Sequence, residues 1–157
     1  GGTGNDTLIW RDVNDIYNGD TGSADILDVS GVASVNFTTV NDGVVNSIEV
    51  LRLTGGSGTA VTLNANDVIN DFETEATINP SGNGPGGSYG SQELLTINGE
   101  ASDSVTLTGG GWFAAAGAGG VPAGYTLYVH EASGSSPGAA EDAYVLIQNT
   151  ITSVTLS

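Results

Sequence analysis

Two aspartates set in glycine-rich turns carry the strongest chemical signal in this chain. Residues 1–9 read GGTGNDTLI, and residues 18–29 read NGDTGSADILDV. In each stretch, glycines lead to an aspartate, Asp6 or Asp25, and the chain then turns apolar. Glycine lets a turn curl until its carbonyl oxygens face inward. An aspartate at the end of that turn adds a full negative charge. Hard divalent cations take such oxygen-only sets, and calcium takes about six to eight oxygens. The second stretch keeps Gly19, Gly22, Asp25 and Leu27, with one extra residue before the aspartate. Between the two lies RDVNDIY, carrying Asp12, Asn14 and Asp15. The candidate metal residues are Gly2, Gly4, Asn5, Asp6, Asp12, Asp15, Asp20 and Asp25, and the expected ion is calcium. The plain alternative is that Asp6 and Asp25 cap their own turns, while Asp12, Asp15 and Asp20 sit in a solvated loop. Asp28 lies on a strand, facing away from Leu27 and Val29, as a ligand or merely exposed.

The charge balance agrees with a cation partner. Eighteen acids face two bases, Arg11 and Arg52, for a net charge of -16. Nucleic acids and anionic membranes are bound through Lys and Arg, so neither partner is expected. Cysteine is absent, which removes disulfides and thiol chemistry and leaves packing or metal to stabilise the fold. No apolar run approaches the roughly 18 residues of a membrane span. The composition suits an exported bacterial protein; the absence of an initial Met suits a piece of a longer chain, and a monomeric module is expected.

Other chemistry is thinner. Asp67, Asp71, Glu73 and Glu75 form a second acidic cluster, a second calcium site or a charged edge that discourages strand aggregation. Asp103 follows a turn and could hold metal or cap. His130 is the only histidine and is expected at a rim. One histidine without a nucleophile elbow supports no triad, and no enzyme is expected. Trp112 and Phe113, in GGGWFAAAG, together with Tyr89, are the candidate ligand-binding aromatics, since rings bind sugars or peptide side chains at low entropy cost. The competing reading of Trp112 and Phe113 is a plug that closes one end of the fold.

Strands must position these residues. Short β-branched runs bounded by Gly, Asn or Asp predict strands at 7–10, 26–29, 35–40, 47–53, 60–63, 94–97, 104–107, 125–130, 143–147 and 153–156. Val105 and Leu107 should face one side of their strand, with Ser104, Thr106 and Thr108 on the other. Asn64 should cap a short helix over residues 64–70. Residues 79–91, 109–124 and 132–140 read as loops. The expected fold is all-β: calcium-binding turns over residues 1–30 leading into a β-sandwich over 31–157 of the same domain, with a parallel β-solenoid as the alternative.

The first stretch fits the nonapeptide G-G-x-G-x-D-x-U-x, with U a large apolar residue, and so resembles the calcium repeat of RTX proteins. Residues 25–70, from DILDVSG through IEVLRLTGG to TLNANDVIN, are similar to segments of large bacterial RTX adhesins. So are LLTINGEASDSVTLTGGGW and the strands at YTLYVH and AYVLIQNTIT. The resemblance implies type I secretion, folding in external calcium, and a place at the cell surface in adhesion and biofilm formation. It implies a module that binds a glycan or peptide through its loops. Its alternatives are a structural spacer or cap of a repeat array, and an accessory domain of a secreted hydrolase. The chain departs from the family in having no long array of repeats.

Overall fold

The structure is a computed structural model and describes residues 1–22, 24–72, 83–84, 87–88, 93–115, 118–131 and 143–157. The expected loops at 79–91 and 132–140 lie largely outside these residues, as do Tyr89, Glu73 and Glu75.

The described residues are mostly strand, with one short α-helix and one 3-10 turn. The strands recur in chain order as rungs of parallel ladders. The opening strands are β1 (Gly2–Thr3) and β2 (Thr7–Ile9). The next rung holds β3 (Tyr17–Asn18), β4 (Asp20–Thr21), β5 (Ile26–Asp28) and β6 (Ser34–Asn36). The third holds β7 (Val45–Asn46), β8 (Val50–Arg52) and β9 (Ala60–Asn64), followed by helix α1 (Ala65–Asn70). A two-strand hairpin, β10 (Asn83–Gly84) with β11 (Gly87–Ser88), precedes β12 (Glu93–Asn98), β13 (Ser104–Thr108), β14 (Trp112–Ala114) and β15 (Tyr125–His130). The last rung is β16 (Ala143–Gln148) and β17 (Ser153–Leu156).

Seven strands form one sheet in the order β14-β15-β16-β12-β8-β5-β2, and four form another in the order β17-β13-β9-β6. From β16 to β2 every pairing in the large sheet is parallel, as is every pairing in the smaller one. The β14 and β15 pairings are antiparallel.

Register explains the stacking. Leu8, Leu27, Leu51, Ile97 and Ile147 are successive partners across the large sheet. Val35, Val61, Val105 and Val154 do the same in the smaller one. Like sits on like, so each side chain covers its neighbour's apolar surface, and a one-residue slip would expose the whole row. Val105 and Leu107 are buried while Ser104, Thr106 and Thr108 are only partly so, as the alternation predicts. Trp10 stacks on Tyr17 at 4.8 Å, and Phe37 meets both Trp10 and Phe72 edge-on. One apolar core runs from Trp10 to Ile151. A second cluster of Leu94, Ala115, Leu127, Val129, Tyr144 and Leu146 forms around the β14–β16 end of the large sheet. All five residues from Ala143 to Ile147 are buried, because alternate side chains enter the two clusters.

Several expectations need refinement. Residues 35–40 are not one strand: Asn36 accepts from Thr38 N–H and turns Phe37–Thr39 into a 3-10 helix. The stretch 47–53 narrows to β8, with β7 ahead of it. The loop at 109–124 contains β14, which Gly109, Gly110 and Gly111, all at positive φ, lead into from β13 and which pairs with β15. The short helix forms as expected. Asn64 Oδ1 accepts from Asp67 N–H, and Asp67 Oδ2 accepts from Asn64 N–H, closing a capping box.

Candidate cation-binding nests

The two aspartate turns become neighbours in space. Thr3 pairs with Thr21 and Thr7 with Ile26, so the single extra residue before Asp25 is absorbed between these pairs. Asp6 and Asp25 therefore stand on adjacent rungs, and the Asp6 backbone N–H donates to Asp25 Oδ1 at 2.7 Å. The remaining oxygens differ from ordinary turn caps. Asp6 Oδ2 and Asp25 Oδ2 are both buried and have no hydrogen-bond partner, and Asp25 as a whole is 0% exposed. A buried carboxylate oxygen without a partner costs free energy unless a cation or proton meets it.

Each orphaned oxygen borders a glycine. A Cβ on Gly1 would stand 2.5 Å from Asp6 Oδ2 and 2.6 Å from the Gly19 carbonyl oxygen. One rung further, a Cβ on Gly19 would stand 2.6 Å from Asp25 Oδ2 and 2.1 Å from the Ser47 carbonyl oxygen. The same constellation thus occurs twice: a glycine gap, a carboxylate oxygen and a carbonyl from the next rung. Gly22 adds to the second, since its Cβ would meet the Gly4 carbonyl at 2.5 Å and Asp25 Oδ2 at 2.6 Å. Glycine is needed here because nothing larger fits between these oxygens. Gly2 and Gly4 have φ of +131° and +105°, the backbone region that a curled turn requires.

These donors suit calcium. They are hard oxygens, part carboxylate and part carbonyl. Among the described residues, no three His, Cys, Asp or Glu side chains converge on one point, so a cation here would be held by one carboxylate per nest together with backbone oxygens. The residues placed to hold it are Asp6 with Gly19 O, and Asp25 with Gly4 O and Ser47 O.

The other predicted ligands lie elsewhere. Asp12 Oδ1 accepts from Asn14 N–H and Asn14 Nδ2, an Asx turn, and Asp15 accepts from the Tyr17 hydroxyl. That hydroxyl also accepts from Arg11 N–H and Asp12 N–H, so these acids organise their own loop and not a nest. Asp20 occupies the left-handed region at φ +69°, where its partner Gly2 also has positive φ. Its carboxylate accepts from Asn18 Nδ2 and is 52% exposed. Asn5 is exposed between Gly4 and Asp6. Asp28 makes a two-pronged bond with Arg52 across β5 and β8. Burial alone would push Asp28 up; the Ser30 hydroxyl, Arg52 and the Ser30 amide outweigh it and hold the carboxyl below its usual value.

Glu49 joins the column of Asp6 and Asp25 although no motif in the sequence singles it out. It follows Asp25 in the same register, through Ile26 paired with Val50. Its Oε2 accepts from Asp25 N–H at 2.5 Å, and it is 7% exposed. Burial raises its pKa, opposed by the Asp25 N–H and reinforced by the Asp25 charge. The available signal was a lone acid between Ile48 and Val50 in an apolar strand.

Of the second acidic cluster only Asp67 and Asp71 lie among the described residues, and these two do not form a nest. Asp67 serves the capping box. Asp71 is 1% exposed and accepts weakly from Gly43 N–H at 3.4 Å. Burial pushes its carboxyl up to about 6, with Asp42 and Asp67 adding to the rise and the Gly43 bond opposing it. Asp103 is a cap: its two oxygens accept from Thr59 N–H and Glu100 N–H.

The aromatic platform also changes. Trp112 is 7% exposed, its Nε1–H donates to Thr108 O, and its ring meets His130 edge-on at 5.2 Å. Pairing of β14 with β15 turns the indole inward, so it is core and not an open ligand surface. Phe113 is half-buried against the second cluster. An open pocket of about 350 Å³ lies nearby, lined by Thr38, Asn64, Ala65, Asn66, Thr108, Gly109 and His130; neither Trp112 nor Phe113 lines it.

Among the described residues no helix is long and apolar enough to cross a membrane. No protein-family model, curated protein or solved structure matches this chain.

Proposed function

We propose that this chain is a calcium-stabilised module of a secreted bacterial surface adhesin of the RTX type, serving there as a structural spacer or cap. One observation carries the reading: Asp6 Oδ2 and Asp25 Oδ2, each buried and unbonded, each border a glycine gap beside a carbonyl of the next rung. A calcium ion bound there supplies the positive charge that these oxygens lack. It also offsets part of a net charge of -16 that otherwise repels itself.

The spacer role is preferred over ligand capture because Trp112, the principal aromatic candidate, is buried and hydrogen-bonded. The same ladders support a winding, solenoid-like arrangement over a sandwich, since β2, β5, β8, β12 and β16 pair in parallel and in chain order. Calcium that binds only the folded chain adds RT ln(1 + [L]/Kd), about 2.7 kcal/mol per nest at a hundredfold excess. Two nests would add about 5 kcal/mol, against a typical total of about 5 to 15.

Thermal melting with calcium and with chelator tests this. The expected drop on chelation is about 10 to 20 °C, at roughly 2 to 4 °C per kcal/mol for a chain of this size. Superimposed melting curves would overturn the reading. A glycan and peptide array in calcium addresses ligand capture, and specific binding there would restore the loop-binding role.

A further inference from the structure

We propose that Glu49 is a positioning residue for the nest at Asp25, and that it ends the series of nests at β8. The inference rests on the reading of Asp6 and Asp25 as calcium ligands and deepens it.

Each acid in the column holds the backbone of the acid before it. Asp25 Oδ1 takes the Asp6 N–H, and Glu49 Oε2 takes the Asp25 N–H. Asp25 thereby commits one oxygen to its neighbour and leaves Oδ2 beside Gly19 and Gly22. Its own backbone is fixed in turn by Glu49, through a buried bond of 2.5 Å. Without that acceptor the Asp25 N–H is stranded out of water, and the turn that aims Oδ2 loses its anchor.

Glu49 itself has no nest. Gly19 and Asp25 lie six positions apart, whereas Ser47 and Glu49 lie two apart. The residues that would curl around a third cation are missing, and Ser47 absorbs the tighter turn at φ +52°. Glu49 therefore works as a hydrogen-bond acceptor for the rung before it. Partners that orient a metal ligand typically change affinity by roughly ten- to hundredfold when removed.

Calorimetric titration of the full chain with calcium chloride tests this on wild type, Glu49→Ala and Glu49→Gln, with circular dichroism to verify folding. In Glu49→Ala, one of two binding events should weaken by roughly ten- to hundredfold, leaving the other at wild-type affinity. Glu49→Gln keeps an acceptor oxygen and should restore the lost affinity. Calcium binding indifferent to Glu49→Ala would overturn the inference and leave the calcium reading standing. Wild type that binds no calcium would overturn both. Glu49→Gln as weak as Glu49→Ala would make the charge, not the hydrogen bond, the active property and also defeat the proposal. If Glu49→Ala does not fold, Glu49→Gln alone decides, because a tenfold loss there is incompatible with a positioning role.

Discussion

Asp6 donates its backbone N–H to Oδ1 of Asp25 at 2.7 Å, which stacks two aspartates on adjacent rungs while the second oxygen of each stays buried and unbonded. This pairing turns two separate sequence motifs into one column.

The column sets a stoichiometry. Two orphaned oxygens beside two glycine gaps predict two calcium ions at these nests. Asp6→Asn and Asp25→Asn should each remove one ion, read by equilibrium dialysis with elemental analysis. Asp25→Asn should cost more stability in calcium, because Asp25 also anchors Asp6.

Filling a gap should act without touching a carboxylate. Gly19→Ala places a methyl 2.1 Å from the Ser47 carbonyl and 2.6 Å from Asp25 Oδ2. Backbone must move to admit it, at about 1 to 3 kcal/mol for an overpacked site. Gly31→Ala, with nothing within 4 Å of its Cβ, is the control and should melt with wild type.

The acidic group behind α1 predicts a pH effect. Burial pushes the Asp71 carboxyl up to about 6, well above the ordinary aspartate range. The folded chain therefore holds this proton more tightly than the unfolded chain. Ionised Asp71 destabilises the fold fully above about pH 6, and the penalty is relieved as pH falls through 6 toward 4. Asp71→Asn should raise the melting temperature at pH 7 and lose that advantage near pH 4. A constant difference across this window would contradict the assignment.

Trp112→Ala separates core from platform. Removal of a buried indole costs about 3 to 5 kcal/mol, so the variant should melt well below wild type. Its calcium titration, monitored at a temperature where it is folded, should match wild type.

Strand positions were legible wherever apolar alternation ran for several residues, as at Val105 and Leu107 or Leu127 and Val129. The two-residue strands β1, β3, β4 and β7 were not, since Gly2–Thr3 or Asp20–Thr21 carries no hydrophobic period; parallel neighbours alone hold them extended. The glycine spacing around Asp6 and Asp25 was visible in the sequence, and the structure sets these two turns side by side. Asp12, Asp15 and Asp20 shared their composition but not their placement, which depends on the Tyr17 hydroxyl and on register. Of the two readings of Trp112, the buried indole agrees with the plug: the glycines ahead of it do not open a loop but lead the chain from β13 into β14, which pairs with β15.

The antiparallel strand β15 lies along the outer side of β16, and the three-residue β14 closes that flank. A parallel column of like side chains is a template that could recruit copies of itself indefinitely, as fibrils do. The outward edge there is the three-residue β14, which presents few unpaired backbone groups to a strand of another chain.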